Sequence, residues 1–175
     1  MELFKEIDQL LNANESDIMF QILTDYNELL KLECEVPSMN RIIHGANFRS
    51  IIEYYDCIPC VVRDLSGKMI AFFALRDDEV RLNRDESYAA LEIAYLAVDK
   101  NISRQGVGTK CIQKIIYIAT KSVIPYQFLT VDALSITAPR SERYEAVTFY
   151  KKCYFSQIEF QAPDKDTVRM LFQLK

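Results

Sequence analysis

The chain has 175 residues, half of them apolar and 26% charged, and carries a net charge of −4. That is the composition of one ordinary folded domain, and the acidic balance argues against a protein that coats nucleic acid, though not against a local basic groove. The opening MELFKEIDQLL carries acids and no apolar run of signal-peptide length, and no segment is apolar enough to span a bilayer, so the expectation is a cytoplasmic protein without a membrane partner. Five cysteines at irregular spacings (Cys34, Cys57, Cys60, Cys111, Cys153) suit reduced thiols better than a disulfide frame.

Residues 1–13 are ambiguous: Leu3, Phe4, Ile7, Leu10 and Leu11 fit a helical stripe, while a strand near 3–8 also fits. Residues 16–33 read as a helix with Ile18, Ile22, Tyr26, Leu29 and Leu30 on one side, ended by Pro37. Residues 46–55 read as a second, short helix. The period then changes. Cys57–Arg63 and Met69–Leu75 are apolar and β-prone, and D-L-S-G-K between them is a hairpin signal. Asp77–Ser87 is a charged loop or strand extension. Leu91–Val98 is a third strand, Val107–Thr120 a helix, Gln127–Val131 a strand and Glu142–Lys152 a helix. Ser156–Phe160 and Val168–Leu174 close the chain as two strands. The expected fold class is therefore mixed α/β (α+β), a central sheet of about six to seven strands covered by helices, with 1–56 as a helical N-terminal part.

One segment stands apart. Between Asp99 and Asp132 lie 32 residues with no acid and five bases: Lys100, Arg104, Lys110, Lys114 and Lys121. Gly106-Val107-Gly108 falls inside it, at a strand-to-helix junction. Free backbone N–H groups at a helix start, the helix dipole and glycine's close backbone approach together suit a phosphate-bearing cofactor. A dinucleotide fingerprint needs a third glycine where Cys111 stands, and a P-loop needs G-K-S/T where this chain has G-T-K.

The run Ala89–Gly108 resembles the acyl-CoA motif of the GNAT N-acetyltransferase superfamily: a strand ending L-x-V, a short loop, then Q/R-x-x-G-x-G/A opening a helix. The matching residues are Leu96, Ala97 and Val98, then Ser103, Arg104, Gln105, Gly106, Val107, Gly108 and Thr109. Ser103 takes the usual Gln/Arg position and Arg104 follows it. A second block, Ala146 to Phe155, is similar to the family's N-x-x-A-x-x-F-Y-x-x-x-G-F, with Arg143 for the Asn and Tyr154 for the Gly. The resemblance covers roughly residues 57–175. It implies a GNAT-like fold, acetyl-CoA as cosubstrate and no metal. The cofactor-binding set it implies is residues 96–98 and 103–109 with Arg143 and Phe149.

In that family an amine attacks the thioester directly, so the ammonium must lose a proton and the departing sulfur must gain one. The resemblance makes Tyr150 the expected acid for the sulfur. It makes Glu92, six residues before Val98, the expected base, working through water as in the histone-acetylating branch. Strand alternation puts Glu92 on the face of Leu96 and Val98, while a core tyrosine and a solvated strand-end glutamate remain the plain alternatives. The implied acceptors are small-molecule, peptide or aminoacyl-tRNA amines, bound by the N-terminal helices, the 133–143 connection and the final hairpin, with a homodimer as one assembly. Leu96–Asp99, Val131–Ala133, Phe149-Tyr150 and Arg169-Met170 also resemble the toxins of the superfamily that acetylate charged tRNA. A non-catalytic acyl-CoA-binding module is the reading from a different class. Cys57-Ile58-Pro59-Cys60 reads as strand rather than redox pair, and His44, beside Gly45, as a loop residue near the acceptor side.

Overall fold

The apolar runs of 57–75 become the middle of a seven-stranded sheet. A computed structural model describes residues 2–12, 17–83, 85–134, 146–158 and 167–174. Helix α1 (Glu2–Leu11) comes first, followed by β1 (Ile18–Ile22), a 3-10 helix (Tyr26–Lys31), α2 (Pro37–Ile43) and α3 (Phe48–Tyr54). Next come β2 (Ile58–Asp64), β3 (Met69–Arg81), β4 (Ser87–Val98), a 3-10 turn (Lys100–Ile102) and α4 (Val107–Lys121). The chain continues through β5 (Phe128–Leu134), α5 (Val147–Lys152), β6 (Ser156–Gln157) and β7 (Thr167–Gln173). The strand order is β1-β2-β3-β4-β5-β7-β6, antiparallel throughout except for β4 and β5, which run parallel.

The helix expected over 16–33 is replaced by β1 and the 3-10 helix. Ile18 and Ile22 are four apart, which suits a helix face, but Phe20 lies between them and completes a strand face. Pairing with β2, Phe20 opposite Val62, decides the matter. Pro37 does not end a helix; it sits in the first turn of α2, where its missing N–H leaves no bond unmade. The N-terminal part is thus helical only around this strand.

Strand β3 is buried at every position from Met69 to Leu75 because both of its faces are covered. On one face, Ala71, Phe73 and Leu75 pack with α1 and α4 through Ile7, Leu11, Ile112 and Ile115. On the other, Phe72 and Ala74 meet α2 and α3 through Ile43, Phe48 and Ile52. Each fully buried Phe or Leu contributes on the order of 2 kcal/mol. No helix among the described residues is long and apolar enough to cross a membrane.

Candidate active site

Strands β4 and β5 pair only at Ala90–Phe128, Leu91–Leu129 and Glu92–Thr130. Beyond that, β4 continues beside β3 and β5 beside β7, and no pairing joins the two. A cavity of about 580 Å³ lies along the C-terminal end of β4. It takes Leu96, Ala97 and Val98 as one wall. Leu96 and Val98 belong to the α4 face, whereas Ala97 belongs to the α2–α3 face, so the cavity reaches both sides of the sheet at its splayed seam.

The loop after β4 is set by Asp99. Its buried carboxylate accepts from the N–H and side-chain amide of Asn101, both at 2.8 Å, and ends the strand. Arg104 and Gly106 then adopt left-handed backbone at φ +63° and +86°. A Cβ at Gly106 would meet no atom within 4 Å, so the dihedral alone selects glycine there. Helix α4 starts with a bond from the Lys110 N–H to the Gly106 carbonyl at 3.0 Å. The N–H groups of Val107, Gly108 and Thr109 therefore point out of the helix end, beside Ser103 and Arg104 in the cavity wall.

Gly108 is selected by space instead. A Cβ there would lie 3.1 Å from the Phe149 ring and 3.8 Å from Val98. The two sequence motifs thus meet at this point, and a hydrogen bond between the Thr109 side chain and the Cys153 thiol joins α4 to α5 again. Phe149, Tyr150 and Thr148 form the opposite wall. Tyr150 is 5% exposed, with its ring edge-on to Phe149 and Phe155 at centroid separations of 5.0 and 5.4 Å. Apolar walls, a cationic mouth and a helix end aimed inward fit a thioester arm that carries a diphosphate.

Of the residues expected from sequence, Leu96, Ala97, Val98, Ser103, Arg104, Gly106, Gly108, Thr109, Phe149 and Tyr150 come together in this wall. Gln105 and Val107 do not line it. Gln105 is exposed with its amide near the Asn101 carbonyl, and Val107 packs on the core as the first helical residue. Arg143 lies outside the described residues, as does most of the 133–143 connection. Glu92 also lies outside the wall. Strand β4 carries a bulge at Ala94, which has no partner across β3, so residues before and after it exchange faces. Glu92 therefore does not share a face with Leu96 and Val98. It points to the α2–α3 side, 4% exposed, where its carboxylate accepts from Arg76 Nε at 2.5 Å and stands 3.7 Å from Arg169 Nη1.

Cys34, Glu35, Val36, Met39, Thr148 and Lys152 also line the cavity, and none of them was expected there from sequence. Only Lys152 carries a local signal, as a base two positions past the Phe149-Tyr150 pair. Burial pushes the Cys34 thiol above its usual range. Cys57 and Cys60 do not pair: Cys60 is sealed in the α1–α4 core, Cys57 packs on the other face, and burial raises both thiols. His44 caps α2 and places Nε2 2.8 Å from the Leu32 carbonyl, away from the cavity. Among the described residues no group of His, Cys, Asp or Glu could hold a metal ion.

A parallel strand pair splayed over a helix N-terminus, with an aromatic wall behind it, defines an acetyl-CoA-dependent acetyltransferase. The profile described as the Acetyltransferase (GNAT) family matches residues 18–154, and the chain belongs to that family. The sheet also superposes on several solved structures. A point mutant of the AtaT toxin, bound to the C-terminus of the antitoxin AtaR and acetyl-CoA, shares 16% identity over 91% of this chain and 94% of that one, with a TM-score of 0.69. AtaT complexed with acetyl-methionyl-tRNAfMet shares 14% over 90% of this chain and 95% of that one, at 0.67. The KacTA–DNA complex contributes a chain 16% identical over 90% and 93%, at 0.66. At these identities the likeness is one of fold. No curated protein matches significantly in sequence.

Proposed function

We propose that this protein moves the acetyl group of acetyl-CoA onto the primary amine of an aminoacyl-tRNA, in the cytoplasm, with 1–175 acting as a single acyltransferase domain. The observation that carries the transferase reading is the slot through the sheet at the β4–β5 seam. One face offers helix N–H groups for a diphosphate, and the other is left for an acceptor, so donor and acceptor meet from opposite sides in an attack geometry. The choice of acceptor is supported by the near full-length likeness to AtaT, whose complex contains acetyl-methionyl-tRNAfMet.

Within this reading the amides of residues 107–109 hold the diphosphate, with Ser103 and Arg104 beside them. Backbone N–H near Val98 orients the thioester carbonyl. The Tyr150 hydroxyl, a donor at neutral pH, protonates the departing sulfur. Glu92, outside the cavity wall on the α2–α3 side and held there by Arg76 and Arg169, receives the amine's proton only by way of intervening water in this proposal. Glu92→Gln should lower kcat and change the pH–rate profile; a fall in stability alone would make Glu92 a structural residue.

The test of the function is acetyl transfer followed by mass spectrometry across three acceptor classes: bulk aminoacyl-tRNA, peptides and small primary amines. Acetyl on the aminoacyl ester, with growth arrest on expression, supports the proposal. Transfer to another class relocates the substrate, and thermal stabilisation by acetyl-CoA with no CoA release from any amine makes the protein a binding module. Sedimentation of the full chain decides between monomer and homodimer.

A further inference from the structure

The acceptor-side wall of the slot is a short strap, residues 33–36, between the 3-10 helix of Tyr26–Lys31 and α2. Asn40 fixes its shape. The Asn40 side chain accepts from the Cys34 N–H at 2.9 Å and donates to the Cys34 carbonyl at 3.0 Å. The Lys100 N–H donates to the Glu33 carbonyl at 2.7 Å, which ties the strap to the loop after β4. One side chain of this strap that lines the cavity is Glu35, and among the described lining residues it is the sole carboxylate. The cations in the same wall are Arg104 and Lys152.

Glu35 is already engaged within the slot. Its Oε2 stands 3.9 Å from Arg104 Nη2, with the glutamate one-third exposed and the arginine largely in solvent. That pair is long, exposed on one side and weak. A diphosphate carries more charge than a carboxylate and binds an arginine through two parallel bonds. When it arrives at the α4 N-terminus it takes Arg104, and Glu35 is left as an unpaired anion facing the slot. A carboxylate carried there on a strap whose backbone is tied to Asn40 and Lys100 attracts an ammonium group.

We propose that Glu35 docks the ammonium of the incoming acceptor, and that it becomes available through an ion-pair exchange in which the cofactor's diphosphate takes Arg104. The proposal rests on the acetyl-CoA reading of the slot. It implies an order of binding, cofactor before amine, and it makes Glu35 a competitor of the cofactor and a partner of the acceptor. One substitution must then move the two affinities in opposite directions, which loss of fold or of packing does not do.

The experiment compares wild type, Glu35→Gln, Arg104→Gln and the double variant, with Glu33→Gln as a control for strap charge. Calorimetry with acetyl-CoA should show Glu35→Gln binding about threefold tighter than wild type, with the gain absent when Arg104 is already Gln. Initial rates with bulk aminoacyl-tRNA at saturating acetyl-CoA should show KM raised about tenfold with kcat within about twofold. Glu33→Gln should leave that KM in place. Unchanged or weaker acetyl-CoA binding by Glu35→Gln overturns the exchange, and an unmoved KM overturns the docking role. If wild type binds acetyl-CoA but acetylates a different amine class, the acceptor proposed above fails, and the KM comparison is read on that amine. Transfer to no amine overturns the docking outright.

Discussion

Two glycines in the cofactor loop are there for different reasons, and that difference is measurable. Gly106 needs a left-handed dihedral in open space, so Gly106→Ala should cost about 1 kcal/mol of stability and weaken acetyl-CoA binding only in proportion to the loop's distortion. Gly108 needs room, because the Phe149 ring occupies the place of its missing side chain. Gly108→Val should push that ring into the slot and weaken acetyl-CoA binding at least about tenfold, with overpacking of about 1–3 kcal/mol visible in thermal unfolding. Tyr150→Phe keeps the ring contacts to Phe149 and Phe155 and removes the hydroxyl. It should lower kcat about 100-fold with acetyl-CoA affinity unchanged, and equal losses in both would make the hydroxyl a binding group. Cys34 offers a pH probe of the slot. Burial raises its pKa, so at a given pH less thiolate is present than in a free thiol. Iodoacetamide should label it slowly near neutrality and faster as pH rises, and bound acetyl-CoA should protect it, read by peptide mass spectrometry.

At the scale of elements, the splay of β4 from β5 is held at its narrow end by a polar knot. Arg169 on β7 reaches Asp78 on β3, Glu92 on β4 and Asp132 on β5, and the Thr130 hydroxyl donates to Asp78 at 2.6 Å. One guanidinium, carried on β7, therefore reaches three other strands and links two strands on each side of the seam. Removing it strands carboxylates that are partly or wholly out of water, at a cost of about 3 kcal/mol. Arg169→Leu should shift the urea midpoint down and weaken acetyl-CoA binding together. A stable variant with normal binding would show that the seam needs no knot. This knot was not legible in the sequence, since its members lie up to 91 positions apart and meet only through strand register. The bulge at Ala94 was hidden for the same reason, and it is what moved Glu92 off the expected face. Strand β1 was misread because Ile18 and Ile22 satisfy both periods, and only the long-range pairing with β2 separates them. The hairpin of β2 and β3 was legible because its pairing is close in sequence, and the helix after Gly106 and the wall from Leu96 to Val98 because their residues resemble a family motif.

For the molecule as a whole, a chain of net charge −4 gathers its bases where β4 gives way to α4 and leaves 32 residues there without an acid. The fold then adds what the linear pattern lacked. Glu33 and Glu35 come across from the strap to stand against Lys100 and Arg104. The slot is thus less positive than its own segment, and in the proposed exchange a diphosphate displaces a protein carboxylate as well as water. Raising salt from low ionic strength to about 0.15 M, where the Debye length falls to about 8 Å, should weaken acetyl-CoA binding several-fold, and less so in Glu35→Gln. The central claim is that acetyl-CoA lies in the seam of β4 and β5 with its diphosphate on the first turn of α4. The most direct measurement is a calorimetric titration of acetyl-CoA into the intact wild-type chain and into Gly108→Val. The account predicts saturable binding to wild type and a marked loss in the variant. Absence of binding to wild type, or equal affinity in both, would contradict it.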